Sequence, residues 1–280
     1  MSVSLTDEGL DIPDAPDRPG EFEQSLRDAR DNGRKLLVAY VTGGLHEEWP
    51  DVVRAVADAG ADAIEIGIPF SDPVMDGPVI QQASQRALDN GFTASQLFDV
   101  IEKSKASTVT MTYWNPIERM GIENFLTQLR AAGGVGVITP DLTIDESDEW
   151  ISQTSEMAID RIYVVAPSTS DERLKKVADA TSGFIYAASL MGVTGTRSAL
   201  SGSARELVSR VRKVTSLPIA VGLGVSNAEQ AREIASFADG VIVGSAFIKL
   251  VLESPNEKEA VEKVRVLAAE LAQAVRQPRS

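Results

Sequence analysis

Eight short apolar runs are spread along the chain, and segments with helical periodicity separate them. Each run has the length of a β-strand, and the intervening segments repeat apolar residues every three to four positions. The runs are Leu36–Tyr40, Ala63–Ile68, Thr108–Tyr113, Val135–Thr139, Arg161–Ala166, Gly183–Ala188, Pro218–Leu223 and Gly240–Val243. Strands that alternate with helices in this number predict an α/β protein with a single (β/α)8 TIM barrel, a fold that commonly has about 250 residues.

A doubly wound open sheet would show the same alternation of strands and helices. That fold usually binds phosphate at its first strand–helix turn, through the spacing G-x-G-x-x-G. The corresponding turn here, Thr42-Gly43-Gly44, lacks this spacing, and the sequence has no P-loop lysine motif. The pattern therefore favours the closed barrel.

Two additions to the basic barrel are expected. A helix over Glu21–Asn32 precedes the first strand, and the interval between strands two and three holds two helical segments, Val79–Leu88 and Ala94–Lys105. Residues 1–20 contain five acidic residues, one arginine and three prolines, a composition typical of disordered segments. We expect a disordered acidic arm over residues 1–20 and one catalytic barrel domain over residues 21–280.

Composition excludes several kinds of function. The formal net charge of −14 argues against nonspecific binding to nucleic acid. No window approaches the roughly 18 apolar residues that cross a membrane, and cysteine is absent, which excludes disulfides and thiolate chemistry. The one histidine, His46, excludes a His-rich metal site, and its polar surroundings predict a surface position. We expect a cytoplasmic protein without a metal, whose acid–base groups are mainly carboxylates, tyrosines or lysines.

One carboxylate interrupts the second apolar run. Side chains alternate between the two faces of a strand, so Glu65 shares a face with Ala63 and Gly67, whereas Ile64 and Ile66 share the other. If the isoleucines pack on helices, Glu65 points into the barrel, where burial disfavours its charged form and suits it to proton transfer near neutral pH. The alternative is a structural glutamate paired with a buried cation.

Glycines at three neighbouring strand ends predict a phosphate site. Strand six continues into Gly192-Val193-Thr194-Gly195, strand seven ends at Gly222-Leu223-Gly224, and strand eight ends at Gly244-Ser245. Barrel enzymes place their sites at the carboxyl ends of the strands and often bind phosphate after strands seven and eight. Glycine lets the backbone approach an anion, and amides at a helix start point at it. The pattern favours a phosphorylated ligand that is held by backbone amides.

Two further features lie near the same strand ends. The run Leu190–Ser203 is rich in Gly, Ser and Thr, which fits either a mobile lid or a plain flexible loop. Tyr113 and Tyr186 lie at or near the ends of strands three and six, and Tyr186 shares a face with Phe184, which predicts that it points inward. As bare residues, tyrosines at such positions are more often structural than catalytic.

The sequence that begins at Glu65 forms a distinctive motif. The stretch Glu65–Gln81 reads E-I-G-I-P-F-S-D-P, then two residues, then D-G-P-x-I-Q. It resembles the signature of the tryptophan synthase alpha chain family, and further motifs extend the resemblance from about Glu21 to about Leu271. By this resemblance Glu65 matches the acid–base glutamate, Asp76 the aspartate that binds the indole N–H, and Tyr186 the tyrosine beside the reacting centre.

The same resemblance implies a set of substrate-binding residues around these three. The lid threonine, Thr194, would meet Asp76 when the lid closes. The full implied set is Tyr40, Ile64, Tyr113, Ile138, Thr194, Gly195, Gly222, Leu223, Gly224, Gly244 and Ser245.

The reaction that the resemblance implies is the retro-aldol cleavage of indole-3-glycerol phosphate to indole and glyceraldehyde 3-phosphate, a step of tryptophan biosynthesis. It requires no metal or organic cofactor. The implied partner is the tryptophan synthase beta subunit, in a heterotetramer of two alpha and two beta chains, which condenses the indole with serine. Three alternatives stay open: a stand-alone indole-releasing lyase, another phosphosugar barrel such as an isomerase, and a non-catalytic allosteric partner of the beta subunit. The presence of both Glu65 and Asp76 argues against the last.

One segment departs from the family pattern. After the first strand the family usually has a short Gly-Asp-Pro or Gly-Tyr-Pro turn, whereas this chain has Gly43-Gly44-Leu45-His46-Glu47-Glu48-Trp49-Pro50. This departure bears on how the first loop meets a partner and does not affect the chemistry that the resemblance implies.

Overall fold

The computed structural model describes residues 20–188 and 197–277, without the side chains of residues 197–200. The acidic arm predicted over residues 1–20 thus lies outside the described residues, apart from Gly20. The described part of the chain contains nine parallel strands. They are β1 (Leu36–Thr42), β2 (Ala63–Gly67), β3 (Thr108–Met111), β4 (Gly136–Ile138), β5 (Asp160–Ile162), β6 (Val164–Val165), β7 (Ile185–Ala188), β8 (Ile219–Gly222) and β9 (Gly240–Val243).

The sheet closes on itself through a strand that is split in two. Its order is β5-β4-β3-β2-β1-β9-β8-β7-β6. The terminal strands β5 and β6 are consecutive in the chain and are separated only by Tyr163. The first half pairs with β4 and the second half with β7, so together they are the predicted fifth strand. The predicted (β/α)8 barrel is confirmed, with one strand interrupted at the point of closure.

Twelve α-helices accompany the strands in the described residues. They are α1 (Glu21–Asp31), α2 (Trp49–Asp58), α3 (Pro78–Asp89), α4 (Ala94–Ser104), α5 (Trp114–Met120), α6 (Ile122–Ala132), α7 (Asp148–Glu156), α8 (Asp171–Ala180), α9 (Arg197–Val211), α10 (Ala228–Ala235), α11 (Ser245–Glu253) and α12 (Glu257–Val275). The helix before β1 and the two helices between β2 and β3 are present as predicted. The short helices α5 and α11 were not predicted. Because α9 begins at Arg197, the loop predicted over Leu190–Ser203 extends too far.

Two apolar layers fix the orientation of each strand residue. Between the strands and the outer helices lies a large layer that includes Ile64 and Ile66. Inside the barrel lies a smaller one, and α1 contributes Phe22 and Leu26 to it. A hydrogen bond of 2.9 Å from the Gly183 N–H to Glu23 Oε2 fastens α1 to the start of β7. In the described part of the chain α1 covers the amino end of the barrel, so ligands reach the interior from the carboxyl ends of the strands.

No helix in the described part of the chain is long and apolar enough to cross a membrane.

Candidate active site

A cavity of about 440 Å³ lies at the carboxyl end of the barrel. Its walls come from the inward residues of the strands, from the loop before α3 and from the start of α11. Eight of the residues singled out from the sequence line it: Tyr40, Glu65, Asp76, Tyr186, Gly222, Gly224, Gly244 and Ser245. The volume falls in the range of small-molecule sites, which is about 300–1,000 Å³.

Glu65 lies deep in this cavity with its carboxyl group desolvated. It projects inward from β2 next to Tyr40 of β1, its partner in register, and it is 1% exposed. Its Oε2 atom has no hydrogen-bond partner among the described residues. Burial, helped by the nearby charge of Asp76, raises the pKa of Glu65 to about 8. No cation contributes to this shift, so the described residues do not support the alternative of a structural glutamate paired with a buried cation.

Asp76 faces the same cavity from the loop that precedes α3. The hydroxyl of Tyr113 donates a hydrogen bond of 3.0 Å to Asp76 Oδ2 and accepts one of 3.0 Å from the backbone N–H of Met75. The ring of Tyr113 is stacked on Phe70, with 5.0 Å between the ring centroids. Partial burial raises the pKa of Asp76, and the Tyr113 hydrogen bond opposes this rise because it favours the carboxylate. The two carboxyl groups therefore differ in environment, and Glu65 is the weaker acid.

Two tyrosines reach into the barrel over glycines. The Tyr186 hydroxyl lies so close to Gly222 that a Cβ at this glycine would be 2.9 Å from the hydroxyl oxygen. The Tyr40 side chain covers Gly67 in the same way. A larger residue at either glycine would displace a tyrosine from the cavity wall. Burial raises the pKa of Tyr186 well above its ordinary value, and the charges of Glu65 and Asp76 add to this shift. Its phenol therefore stays protonated and can act as a hydrogen-bond donor.

A further part of the cavity wall is built from backbone. Gly224 has a φ of +59°, a conformation that glycine adopts without strain. Gly244 is the N-cap of α11, and Ser245 is its first residue. The first amides of a helix are unpaired and carry partial positive charge, which favours an anion. Among the described residues that line the cavity there is no lysine or arginine. Lys249, further along α11, instead pairs with Glu253.

The remaining candidates lie elsewhere. Ile64 is on the outer face of β2 and packs under the helices, so its assignment to the substrate pocket is wrong. The Leu223 side chain also belongs to this outer layer. Ile138 is part of the apolar barrel interior, and Tyr113 is hydrogen-bonded to Asp76. Two candidates, Thr194 and Gly195, lie outside the described residues, as does the first half of the proposed lid, residues 190–196.

Sequence reasoning missed an apolar part of the wall. Met75, Met111, Ala188 and Ile242 line the cavity beside the carboxyl groups. Met111 and Ile242 lie on the inward face of their strands, so the alternation that located Glu65 could also have located them. This surface suits a flat apolar group next to Glu65 and Asp76.

His46 is not at the surface, contrary to the sequence prediction. It is 6% exposed, because the loop after β1 folds against the end of α3 and the start of α12. It takes no part in the cavity described above.

The chain matches a known protein family over most of its length. The family model described as "Tryptophan synthase alpha chain" matches residues 26–276. The chain is 50% identical to the tryptophan synthase alpha chain of Thermobifida fusca, over 91% of this chain and 97% of that relative. It is 48% identical to the one of Streptomyces avermitilis, over 91% and 94%.

Solved structures agree in fold and extent. A structure of Mycobacterium tuberculosis tryptophan synthase matches with a TM-score of 0.85 and 41% identity, over 92% of this chain and 99% of that chain. The tryptophan synthase complex of Pyrococcus furiosus matches with a TM-score of 0.76 and 35% identity, over 85% and 98%. The family model, which matches residues 26–276, spans all nine strands and both carboxyl groups of the cavity.

Proposed function

Because this chain belongs to the tryptophan synthase alpha chain family, we propose that Glu65 and Asp76 carry out that family's reaction in the cavity described above. The chain is a lyase of tryptophan biosynthesis that cleaves indole-3-glycerol phosphate to indole and glyceraldehyde 3-phosphate. This assignment is favoured over an unrelated phosphosugar isomerase and over a non-catalytic partner. The roles of individual residues are our proposal.

The observation that carries the proposal is the contrast between two carboxyl groups that face one cavity. Glu65 is buried and its Oε2 atom has no hydrogen-bond partner among the described residues, whereas Asp76 accepts a hydrogen bond from Tyr113. With a pKa raised to about 8, Glu65 holds a proton at neutral pH. Asp76 is less buried and accepts a hydrogen bond from Tyr113, which favours its charged form. Two carboxyl groups whose environments separate their pKa values can serve as one acid and one anion in the same site.

The reaction needs both forms. Glu65 donates its proton to C3 of the indole ring, and the ring nitrogen gains positive character. The Asp76 carboxylate accepts a hydrogen bond from the N–H and stabilises that charge where it develops. The hydroxyl on the carbon bonded to C3 then loses its proton to Glu65 and becomes the aldehyde, while the carbon–carbon bond breaks and its electrons return to the ring. Glu65 ends the cycle protonated, ready for another turnover.

Tyr186 and the backbone wall position the rest of the substrate. We assign to Tyr186 a hydrogen bond to the substrate hydroxyl that loses its proton. Tyr186 lines the cavity together with Glu65, and the charge of Glu65 contributes to the raised pKa of Tyr186. The phosphate is assigned to the amides at Gly224, Gly244 and Ser245. The absence of cationic residues among the described lining residues favours a backbone site.

The partner is the tryptophan synthase beta subunit. We propose the heterotetramer of two alpha and two beta chains and a cytoplasmic location. The contact is assigned to the rim at the carboxyl end of the barrel, where the loop Ser71–Pro78 carries Asp76 and exposes Val74. Docking there would hold Asp76 in its working position and shift the population towards the active geometry.

The test is indole release from indole-3-glycerol phosphate by the wild-type chain, Glu65→Gln and Asp76→Asn, each with and without the beta subunit. We expect the wild type to be slow alone and faster in the complex, and both variants to lose most activity in either state. Full activity of the isolated chain without association would instead support the stand-alone lyase.

A further inference from the structure

A second cavity of about 470 Å³ lies beside the loop that follows β1. It is formed by this loop, the carboxyl end of α3 and the start of α12, and it shares no lining residue with the active-site cavity. Its walls include His46, Trp49, Arg86, Asn90, Phe92 and Glu257. The lyase reaction assigns no role to this loop.

His46 is a buried imidazole on the wall of this cavity. It is 6% exposed, and neither ring nitrogen has a hydrogen-bond partner among the described residues. The Glu257 Oε1 atom is 3.7 Å from Nδ1, which is beyond hydrogen-bond reach. Buried polar groups are nearly always hydrogen-bonded, and an unmatched one costs about 1–3 kcal/mol. Both nitrogens are covered, and His46 lines the cavity, so a ligand bound there supplies the missing partner when the ring turns towards it.

Two opposite charges face the same cavity. Arg86, in the last turn of α3, has no hydrogen bond or ion pair from its guanidinium to the residues that the structure describes, although its charge acts on His46. Glu257, in the first turn of α12, is half-exposed, and its Oε1 atom accepts a 3.3 Å hydrogen bond from the Glu47 N–H. A simple anion would be opposed by Glu257 and a simple cation by Arg86. A ligand with one group of each sign would satisfy both.

The cavity wall is held in place before any ligand binds. The Asn90 side chain donates hydrogen bonds of 3.1 Å and 3.0 Å to the carbonyls of Gly44 and Leu45. Gly44 has a φ of +74°, and a Cβ there would be 2.6 Å from the Phe92 ring, so glycine is required at this position. The loop is thus fixed against the turn that follows α3, which is the preorganisation expected of a binding site.

We propose that this cavity binds a free α-amino acid as an effector of the enzyme. Its carboxylate pairs with Arg86, its ammonium group pairs with Glu257, and the imidazole of His46 hydrogen-bonds to one of these groups. The effector role follows from the position of α3. The first residues of this helix line the active-site cavity next to Asp76, and its last turn provides Arg86. This site is separate from the lyase site and does not depend on the roles assigned there.

The single histidine of the chain gives a direct readout. In protein labelled with ¹⁵N-histidine, every imidazole signal belongs to His46. Each of the twenty proteinogenic L-amino acids is titrated separately to on the order of 10 mM, and affinities are measured by calorimetry. We expect at least one of them to shift the His46 signals and to bind. Its amide and its N-acetyl derivative, which each lack one charge, should bind at least about tenfold more weakly, roughly the value of one lost charged contact.

Matched variants separate this site from others. Arg86→Gln and Glu257→Gln should each weaken binding about tenfold or more. The controls Arg130→Gln, in the last turn of α6, and Glu259→Gln, in the first turn of α12, should not weaken it, and Asp76→Asn should bind the amino acid normally.

The absence of any His46 shift over the whole panel would overturn the site, as would binding that both site variants leave unchanged. Inorganic phosphate that binds as tightly as the amino acid would show a plain anion site instead. Unchanged kcat and KM at saturation would overturn the effector role.

Discussion

The Tyr113 hydroxyl holds Asp76 in place, since it donates a 3.0 Å hydrogen bond to the Asp76 carboxylate and accepts another from the backbone of the same loop. One phenol therefore fixes both the direction of the carboxylate and the path of the chain around it. The same contact favours the ionised form of Asp76, which is the form that the proposed stabilisation of a positive indole nitrogen requires.

Removal of this hydroxyl should impair catalysis without loss of the fold. In Tyr113→Phe we expect kcat to fall about tenfold, the value of one hydrogen bond to a charged group. The pKa of Asp76 should rise further, because burial is no longer opposed, so the acidic limb of kcat/KM should move to higher pH. The measurement is the pH profile of indole release. Tyr163→Phe, at a buried tyrosine outside the site, is the control and should leave the profile unchanged. An unshifted acidic limb in Tyr113→Phe would contradict the role given to the hydrogen bond.

The buried carboxyl of Glu65 should lower stability at high pH. Its pKa is about 8 in the folded protein and about 4.5 ordinarily. Between these values the unfolded chain has released a proton that the folded protein still holds, so wild-type stability falls as pH rises through this window. Glutamine does not titrate. Glu65→Gln should therefore gain stability relative to wild type from about pH 5 to pH 8, by up to a few kcal/mol at about 1.4 kcal/mol per pKa unit. Urea unfolding of both proteins across this range tests the trend, and a constant difference would refute it.

The backbone phosphate site should be sensitive to one methyl group. Gly224→Ala places a Cβ on a residue with positive φ at the cavity wall, and we expect KM to rise about tenfold or more. Gly91→Ala is the matched control, because Gly91 also has a positive φ but lies in the turn after α3, away from the active-site cavity. It should lose similar stability and keep the wild-type KM. If Lys249→Gln raised KM more than Gly224→Ala does, the phosphate would instead be bound by the Lys249 side chain.

The alpha–beta contact should depend on Val74. It is 79% exposed on the loop that carries Asp76, and the other exposed large apolar side chain among the described residues, Val266, is 51% exposed on α12. Burial of a valine is worth about 1.5 kcal/mol or more. Val74→Ser should weaken binding to the beta subunit about tenfold and reduce the activation of indole release, while Val266→Ser should change neither. Equal effects of the two substitutions, measured by calorimetry, would remove the Ser71–Pro78 loop from the interface.

The barrel and the position of Glu65 followed from local rules. Strand residues alternate between faces, and a carboxylate on the face opposite Ile64 and Ile66 had to point inward. The same alternation places Ile64 on the outer face, away from the pocket. Its assignment to the pocket came from the family resemblance alone. The helix α11 was missed because its apolar residues follow β9 after a single glycine, so the two apolar signals merge.

The burial of His46 could not be predicted from its neighbours in the chain. The segment around it is polar, which favours the surface. It is buried because the turn after α3 and the first turn of α12 pack over the loop, and the Glu47–Glu257 hydrogen bond joins residues 210 positions apart. Contacts at this distance are set by the closed barrel and leave no local pattern. The split of the fifth strand at Tyr163 has the same origin. The residues before Tyr163 pair with β4 and those after it pair with β7.

The central claim is that Glu65 moves the proton, and one measurement tests it most directly: the single-turnover rate of indole release by Glu65→Gln in complex with the beta subunit. The amide has the same shape but cannot exchange the proton. We predict a rate lower by about 10²–10⁴-fold, with substrate affinity and beta-subunit binding close to wild type. A variant that folds, binds substrate and retains more than about a tenth of the wild-type rate, far above the loss expected for an acid–base group, would show that another residue transfers the proton.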